Sequence, residues 1–228
     1  MVKLFIFLAN VLLPLTSFFL AYRYPQVSYG WLFSVGIFAH VLYRMWETFF
    51  TSKEREPQKF EGDWTLAVGT LAYIGLCFLI TFEYFLMPHR RFLGTLILGG
   101  LLYLIAARLR FWGEATLGRQ WAVHVVGDTK TTKSRLLRIG PYRYIRHPIY
   151  FGILLEELAL PLIAATYFSL GYAMLVNIPL LLIRLISEEK ISVLKFGDEY
   201  IEHRETAGMF FPKSGLLDFF KELLTRLN

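Results

Sequence analysis

The segment "RYIRHPIYFG", residues 143–152, places two arginines, a histidine, a proline and two tyrosines directly before a long apolar run. Proline lacks an amide hydrogen and presets its backbone angle, so Pro148 belongs in the first turn of the following helix, with His147 near the cap. The amides of Ile149 and Tyr150 then have no partner within the helix and point outward at the positive end of its dipole. The segment therefore predicts a site for a carboxylate or phosphate, and the two arginines add positive charge.

The same side chains also have a purely structural explanation. Arg143 and Arg146 can extend to phospholipid headgroups. Tyr142, Tyr144 and Tyr150 can form the aromatic belt that membrane proteins place at the interface. The segment alone leaves both interpretations open.

A second group of charged residues ends a later apolar run: Arg184 and Glu188, four apart on one helix face, and Glu189. A charge near the bilayer interior costs about 2.5 to 3.5 kcal/mol on insertion scales, which favours a functional role. We expect Glu188 to accept hydrogen bonds from a cofactor and Arg184 to face a substrate anion. A salt bridge between the two is the structural alternative.

The composition indicates an integral membrane protein. Of 228 residues, 55% are hydrophobic and 18% are charged, and the mean hydropathy is +0.46. The net charge is +6, but the basic residues cluster beside apolar runs, which favours anionic lipid headgroups as partners and argues against nucleic acid. Cys77 is the single cysteine and no metal-site motif occurs, so no metal is expected.

We predict an all-α fold, a polytopic transmembrane helix bundle of about six spans. The apolar runs cover residues 4–22, 29–50, 64–87, 92–111, 149–168 and 169–186. Little more than a turn around Gly171 separates the last two runs, which predicts a tight helical hairpin. The hairpin would bring His147 and Glu188 to the same side of the membrane.

The chain is expected to form one integral membrane domain over residues 1–228, in three parts. Residues 1–111 hold four transmembrane helices, 112–213 form the cofactor-binding and catalytic part, and 214–228 form an amphipathic C-terminal helix. Basic residues concentrate in the 51–63 loop, the 113–147 loop and the tail. Their distribution predicts that both termini, the cofactor-binding loop and the active site are cytoplasmic.

Four further polar residues lie within the predicted spans. His40 and Glu83 have no recognisable partner, so we expect packed or hydrogen-bonded roles. Glu156 and Glu157 cannot both face one direction. We expect one of them, with Glu156 preferred, to face a polar cavity or to pair with an arginine of the fourth span.

The two charged segments lie within longer motifs, "GPYRYIRHPIYFG" and, about forty residues later, "RLISEEKISVLKFGDEYIEH". Together they resemble the isoprenylcysteine carboxyl methyltransferase family and the related phospholipid methyltransferases, over residues 121–204. The resemblance implies an integral membrane methyltransferase that uses S-adenosyl-L-methionine. It places catalytic roles on Arg184, Arg146 and Glu188, with Arg184 against the substrate. It implies cofactor contacts at Ser134, Arg135, Leu136, Leu137, Tyr142, His147, Pro148, Ile149, Tyr150, Glu188 and Glu189.

The methyl acceptor implied by the resemblance is a lipophilic small molecule or lipidated substrate from the bilayer, carrying an isoprenylcysteine-like carboxylate, another lipid group or a thiol. An NADPH-dependent membrane reductase of the sterol-reductase type is an alternative, because such enzymes also hold phosphate with an R-H-P element. The carboxylates of Glu188 and Glu189 disfavour a second phosphate. A transporter or structural membrane protein is the non-enzyme alternative, although no matching halves occur in the sequence.

Overall fold

The computed structural model of the protein describes residues 2–49, 64–87, 92–117 and 136–225. These residues are almost entirely helical, with one isolated backbone bridge between Ile145 and Gly208, which confirms the all-α class. The helices are α1 (Val2–Arg23), α2 (Gly30–Phe49), α3 (Trp64–Leu86), α4 (Leu93–Leu117), α5 (Pro148–Ala164), α6 (Tyr167–Tyr172), α7 (Ile178–Phe196), α8 (Asp198–Thr206) and α9 (Leu216–Thr225). A 3-10 turn covers Gly140–Arg143, and a π turn, Ala173–Asn177, joins α6 to α7.

The long helices carry the membrane character of the chain. Four stretches of the described residues are long and apolar enough to cross a membrane: Ile6–Arg23, Trp64–Leu86, Leu93–Leu117 and Tyr167–Phe196. The last of them joins α6, the π turn and α7 into one continuous span. With α2 and α5, of 20 and 17 residues, the bundle has about six spans. Large apolar side chains such as Leu15, Phe19, Leu104 and Leu175 are exposed on its outer surface, as expected for contact with lipid tails.

Close packing of α4 against α5 sets the frame of the bundle. Gly99 faces the backbone of α5 at Ala159 and Ile163, and Gly152 faces α4 at Ala106. Without side chains at these two positions the helix backbones approach closely, as in other membrane bundles. The two helices run antiparallel, so the end of α4 lies beside the start of α5.

The helical hairpin is present, but the predicted position of its turn was wrong. The chain reverses at residues 165–166, where the first residue has a left-handed φ of 55°, whereas Gly171 lies inside α6. The reason is a carboxylate from a third helix. Glu83 of α3 accepts hydrogen bonds from the amides of Phe168, at 2.9 Å, and Ser169, at 2.7 Å, and so caps the start of α6.

The C-terminal segments hold the 3-10 turn and the start of α5 in place. The amide of Arg146 donates to the carbonyl of Gly208 at 2.8 Å, and the amide of Gly208 donates to the carbonyl of Tyr144 at 3.1 Å. Helix α9 buries Phe219 and Leu223 against the end of α4 and the segment before α5. Its Leu217 and Leu224 are largely exposed on the opposite face, so the helix presents apolar side chains both to the protein and away from it.

Candidate active site

The helix ends on one side of the bundle enclose a cavity of about 360 Å³. The ends of α2 and α4, the starts of α3 and α5 and the first part of α7 contribute to its wall. Eight of the residues predicted from the sequence line it: Tyr142, Arg146, His147, Pro148, Ile149, Tyr150, Arg184 and Glu188. The structure thus brings the two predicted segments together around one space, whose volume suits a small-molecule or cofactor site.

Helix α5 begins at this cavity as the sequence predicts. Pro148 is its first residue, His147 is the N-cap, and no side chain caps the first turn. Since the amides of the first turn have no carbonyl partner within the helix, those of Ile149 and Tyr150 are directed toward the end that borders the cavity. The helix start can therefore bind a negatively charged group of a ligand.

Glu189 is occupied by protein donors. Its carboxylate accepts hydrogen bonds from His147 Nε2 at 2.6 Å, Arg146 Nε at 2.9 Å and the Tyr200 hydroxyl at 2.7 Å. The side chain is buried and is not among the described residues that line the cavity. It connects α7 to the start of α5 and to α8, and so positions Arg146 and His147 at the cavity edge.

Glu188, the neighbour of Glu189 in the sequence, faces the cavity. It lies beside Tyr150, and its Oε2 is buried with no hydrogen-bond partner among the described residues. A buried carboxylate oxygen without a donor is costly in free energy, so a ligand that carries an ammonium or hydroxyl group would be stabilised there. Because successive helical residues point about 100° apart, the two glutamates have different surroundings.

Arg184 crosses the cavity wall between three helices. The side chain is buried, and its Nε donates to the Tyr150 hydroxyl of α5 at 2.9 Å. Its Nη1 donates to Thr65 Oγ1 at the start of α3 at 3.2 Å. These contacts fix the guanidinium in direction, so it can orient a bound group rather than serve as a mobile charge.

Tyr142 borders the cavity from the 3-10 turn. Burial raises the pKa of its hydroxyl well above the ordinary value, and the negative charges of Glu188 and Glu114 raise it further. The hydroxyl is therefore protonated at any physiological pH. It can donate a hydrogen bond to a ligand at the cavity edge.

A second polar cluster deeper in the bundle was not predicted as a unit. Arg110 donates to Glu156 at 2.6 Å and also pairs with Glu47, and Arg44 pairs with Glu47 at 2.6 Å. Arg44, Glu47 and Arg110 all line the cavity. The Arg44–Glu47 pair, three residues apart on one helix, could have been found from spacing. The partners of Arg110 lie 46 and 63 positions away in the chain, so sequence spacing could not pair them.

The polar residues expected to have structural roles have them. His40 contacts the hydroxyls of Tyr103, at 2.9 Å, and Tyr73, at 2.7 Å. Of the two adjacent glutamates of α5, Glu156 pairs with Arg110 of the fourth span, which is one of the two predicted roles. Glu157, and not Glu156, lines the cavity.

The remaining predicted cofactor residues lie upstream of the 3-10 turn. Leu136 and Leu137 are half-buried in an extended segment and are not among the described residues that line the cavity. Ser134 and Arg135 lie outside the described residues. Cofactor contacts at these four positions stay predictions.

Comparison with known proteins agrees with the geometry. Residues 97–193 match the model of the isoprenylcysteine carboxyl methyltransferase (ICMT) family. The chain is 25% identical over 199 residues to the protein-S-isoprenylcysteine O-methyltransferase of Saccharomyces cerevisiae, which covers 83% of this chain and 82% of that protein. It is 29% identical over 82 residues to the uncharacterized protein YpbQ of Bacillus subtilis, covering 36% of this chain and about half, 47%, of YpbQ. These matches support the ICMT-like membrane methyltransferase that the resemblance implied.

Proposed function

We propose that this methyltransferase transfers the methyl group of S-adenosyl-L-methionine to a lipophilic acceptor that enters from the bilayer. The observation that supports it is a single cavity bordered by the uncapped start of α5 and by the carboxylate of Glu188. The amino-acid end of this cofactor carries one carboxylate and one ammonium. The helix start suits the first group, and the Glu188 carboxylate suits the second.

The described residues fit such a cofactor. Glu188 Oε2 is buried without a donor, which an ammonium group supplies. Ile149 and Tyr150 offer two backbone amides at the cavity edge, beside Arg146, whose own charge is paired with Glu189. Both halves of a zwitterion therefore have a complementary group on the chain.

The role of the protein in the reaction is binding and orientation. When bound, S-adenosyl-L-methionine supplies a methyl group already activated on a sulfonium. Arg184, fixed by Tyr150 and Thr65, orients the acceptor in line with that methyl group. Ile149, Ile153 and Leu181 line the cavity and exclude water from it.

The acceptor is proposed to arrive sideways through the membrane. Gly69, Thr70 and Tyr73 of α3 and Ile6 of α1, all within candidate membrane spans, also line the cavity. An apolar chain can lie there while the cofactor enters from the aqueous side. We place that side in the cytoplasm, in agreement with the basic residues of the flanking loops.

The charges in the cavity disfavour the reductase alternative. Glu47, Glu114, Glu157 and Glu188 all line it. Arg44 and Arg110 balance the charge of Glu47, but the Oε2 of Glu188 has no partner among the described residues, so this carboxylate would repel a phosphate of NADPH. A cofactor with one carboxylate and two cationic groups avoids this repulsion.

Ligand stabilisation tests the proposal on protein purified in nanodiscs. S-adenosylhomocysteine at about 100 times its Kd is expected to raise the free energy of unfolding by about 2.7 kcal/mol, and NADPH is expected to have no effect. Glu205→Gln, on an exposed side chain of α8, serves as the matched control and keeps the full response. Stabilisation by NADPH and not by S-adenosylhomocysteine would contradict the proposal.

A further inference from the structure

Two helix faces line the cavity along its length and are linked at two levels. On α5 the residues are Tyr150, Ile153 and Glu157. On the continuous span formed by the π turn and α7 they are Asn177, Leu181, Arg184 and Glu188. Their spacing of three and four residues keeps each set on one helix face. Arg184 bonds Tyr150 at the outer level, and Asn177 bonds Glu157 at the inner level, at 2.9 and 3.3 Å. Seven residues of helix, about 10 Å, separate the levels.

The inner pair has hydrogen-bonding capacity that the described protein does not use. Glu157 and Asn177 are 4% and 3% exposed, and both line the cavity. Asn177 Nδ2 donates to Glu157 Oε1, while Glu157 Oε2 and Asn177 Oδ1 are buried without a partner among the described residues. With its nitrogen donating to Glu157 Oε1, the Asn177 amide presents its oxygen as an acceptor.

The backbone at this level is also unusual. Asn177 is the last residue of the π turn Ala173–Asn177, which interrupts the α-helical span between α6 and α7. Such turns recur at functional sites because the inserted residue changes the direction of the neighbouring side chains. The polar pair and the irregular turn thus lie at the same level of the bundle. This level is one helical turn deeper than Ile153 and Leu181, which also line the cavity.

We propose that Glu157 and Asn177 form a subsite for a group with two hydrogen-bond donors on the methyl acceptor, such as a primary amide or a primary amine. Two free acceptor oxygens are satisfied by two N–H groups, whereas a hydroxyl carries one hydrogen and a carboxylate carries none. A carboxylate at this level would also face the negative charge of Glu157. The inference rests on the proposed function, in which Glu188 takes the ammonium of the cofactor and the inner level is left to the acceptor.

A matched set of lipids tests the subsite: dodecanamide, dodecanol and dodecanoate, which differ only in the polar group. Each is titrated into nanodiscs that contain the full-length protein, and its Kd is measured. We expect the amide to bind the wild-type protein roughly tenfold more tightly than dodecanoate, with the alcohol between them. Equal Kd values for the amide and dodecanoate, or an amide that does not bind, would overturn the subsite.

Two variants assign the effect to the pair. In Glu157→Gln the two side-chain amides can bond each other, which removes the free acceptors, and Asn177→Leu removes one of them directly. Each is expected to weaken amide binding roughly tenfold. Asn177→Leu should leave dodecanoate binding within about twofold, and Glu157→Gln, which removes a negative charge, should not weaken it, while Glu205→Gln changes neither ligand. Thermal unfolding shows which variant is folded, so that either one can carry the test. Amide binding that is unchanged in a folded variant would overturn the assignment.

S-adenosylhomocysteine, titrated into the same preparations, separates the two proposals. Its Kd is expected to be the same in the wild-type protein, Glu157→Gln and Asn177→Leu. If these variants lose affinity for S-adenosylhomocysteine and keep their lipid affinities, the cofactor binds at the inner level, and the proposed acceptor subsite is overturned. A wild-type protein that binds the amide but not S-adenosylhomocysteine would contradict the cofactor proposal instead.

Discussion

Single replacement of Glu188 and of Glu189 by glutamine should separate ligand binding from structural support, although the two residues are adjacent. Glu188 faces the cavity with an oxygen that has no partner among the described residues. Glu189 accepts hydrogen bonds from His147, Arg146 and Tyr200. The same chemical change therefore removes a ligand contact at one position and a structural connection at the next.

The two replacements are expected to change different quantities: ligand affinity in Glu188→Gln and the free energy of unfolding in Glu189→Gln. In Glu188→Gln the loss of a charged partner for the cofactor ammonium costs about 1.5 to 3 kcal/mol, which is about ten- to hundredfold in the Kd of S-adenosylhomocysteine. The ligand-free protein should keep its stability, because Glu188 Oε2 has no partner among the described residues and the glutamine oxygen can still accept from the Tyr150 hydroxyl. In Glu189→Gln, Arg146 loses its buried carboxylate, at a cost of about 3 kcal/mol in the free energy of unfolding. Breaking a buried ion pair usually costs about 3 to 5 kcal/mol. We expect the lower value because Arg146 keeps its hydrogen bond to the Ala207 carbonyl at 2.5 Å.

Calorimetric titration with S-adenosylhomocysteine and unfolding of the ligand-free protein measure the two effects independently. Glu188→Gln should change the first and Glu189→Gln mainly the second. Glu205→Gln, which alters an exposed glutamate of α8, should change neither. Two outcomes would contradict this assignment of the glutamates: Glu188→Gln destabilises the ligand-free protein as much as Glu189→Gln, or only Glu189→Gln reduces the affinity for S-adenosylhomocysteine.

Two further predictions concern turnover and pH. Arg184→Ala should lower kcat roughly ten- to hundredfold and change the Kd of S-adenosylhomocysteine much less, because the guanidinium is assigned to the acceptor; equal losses in both would assign it to the cofactor. Burial, then the charges of Arg138 and Arg146, lower the pKa of His203 below its ordinary value, so the unfolded state binds more protons. The contribution of His203 to the free energy of unfolding should therefore be fully present above about pH 6.5 and should be lost as the pH falls below that value. His203→Gln should reduce this slope in unfolding experiments between about pH 5 and 8, and an unchanged slope would show that other groups cause it.

The start of α5 could be predicted from sequence because its determinants are local. A proline at the first helical position fixes the boundary without help from the rest of the protein, and Pro148 is found there. The apolar runs likewise predicted the helices of the bundle, since membrane spans depend on composition and length. Local chemistry was sufficient for both.

Features that depend on distant partners could not be predicted in the same way. The position of the hairpin turn follows from Glu83, which lies more than 80 residues before the amides that it caps. The pairing of Arg110 with Glu156 joins two spans, and the sequence offered several arginines as partners. In both cases a single buried carboxylate decides the local structure, and which donors reach it depends on helix packing that spacing does not encode.

The two pairs of adjacent glutamates follow one physical rule. In each pair one carboxylate binds an arginine of a neighbouring segment: Glu156 binds Arg110 at 2.6 Å, and Glu189 binds Arg146 at 2.9 Å. The other member, Glu157 or Glu188, lines the cavity and has an oxygen with no partner among the described residues. Because the side chains of consecutive helical residues point about 100° apart, one acidic pair can supply both a structural connection and a ligand contact.

This division has an energetic consequence for the whole cavity. The arginine-bound carboxylates stabilise the helix positions, whereas the unpartnered oxygens of Glu157 and Glu188 are stabilised when a ligand supplies donors. Two such oxygens lie at levels about 10 Å apart along the helices. A methyl donor at the outer level and an acceptor at the inner level would therefore each satisfy one carboxylate. Binding energy at both levels would then help to hold the methyl donor and the acceptor in one orientation.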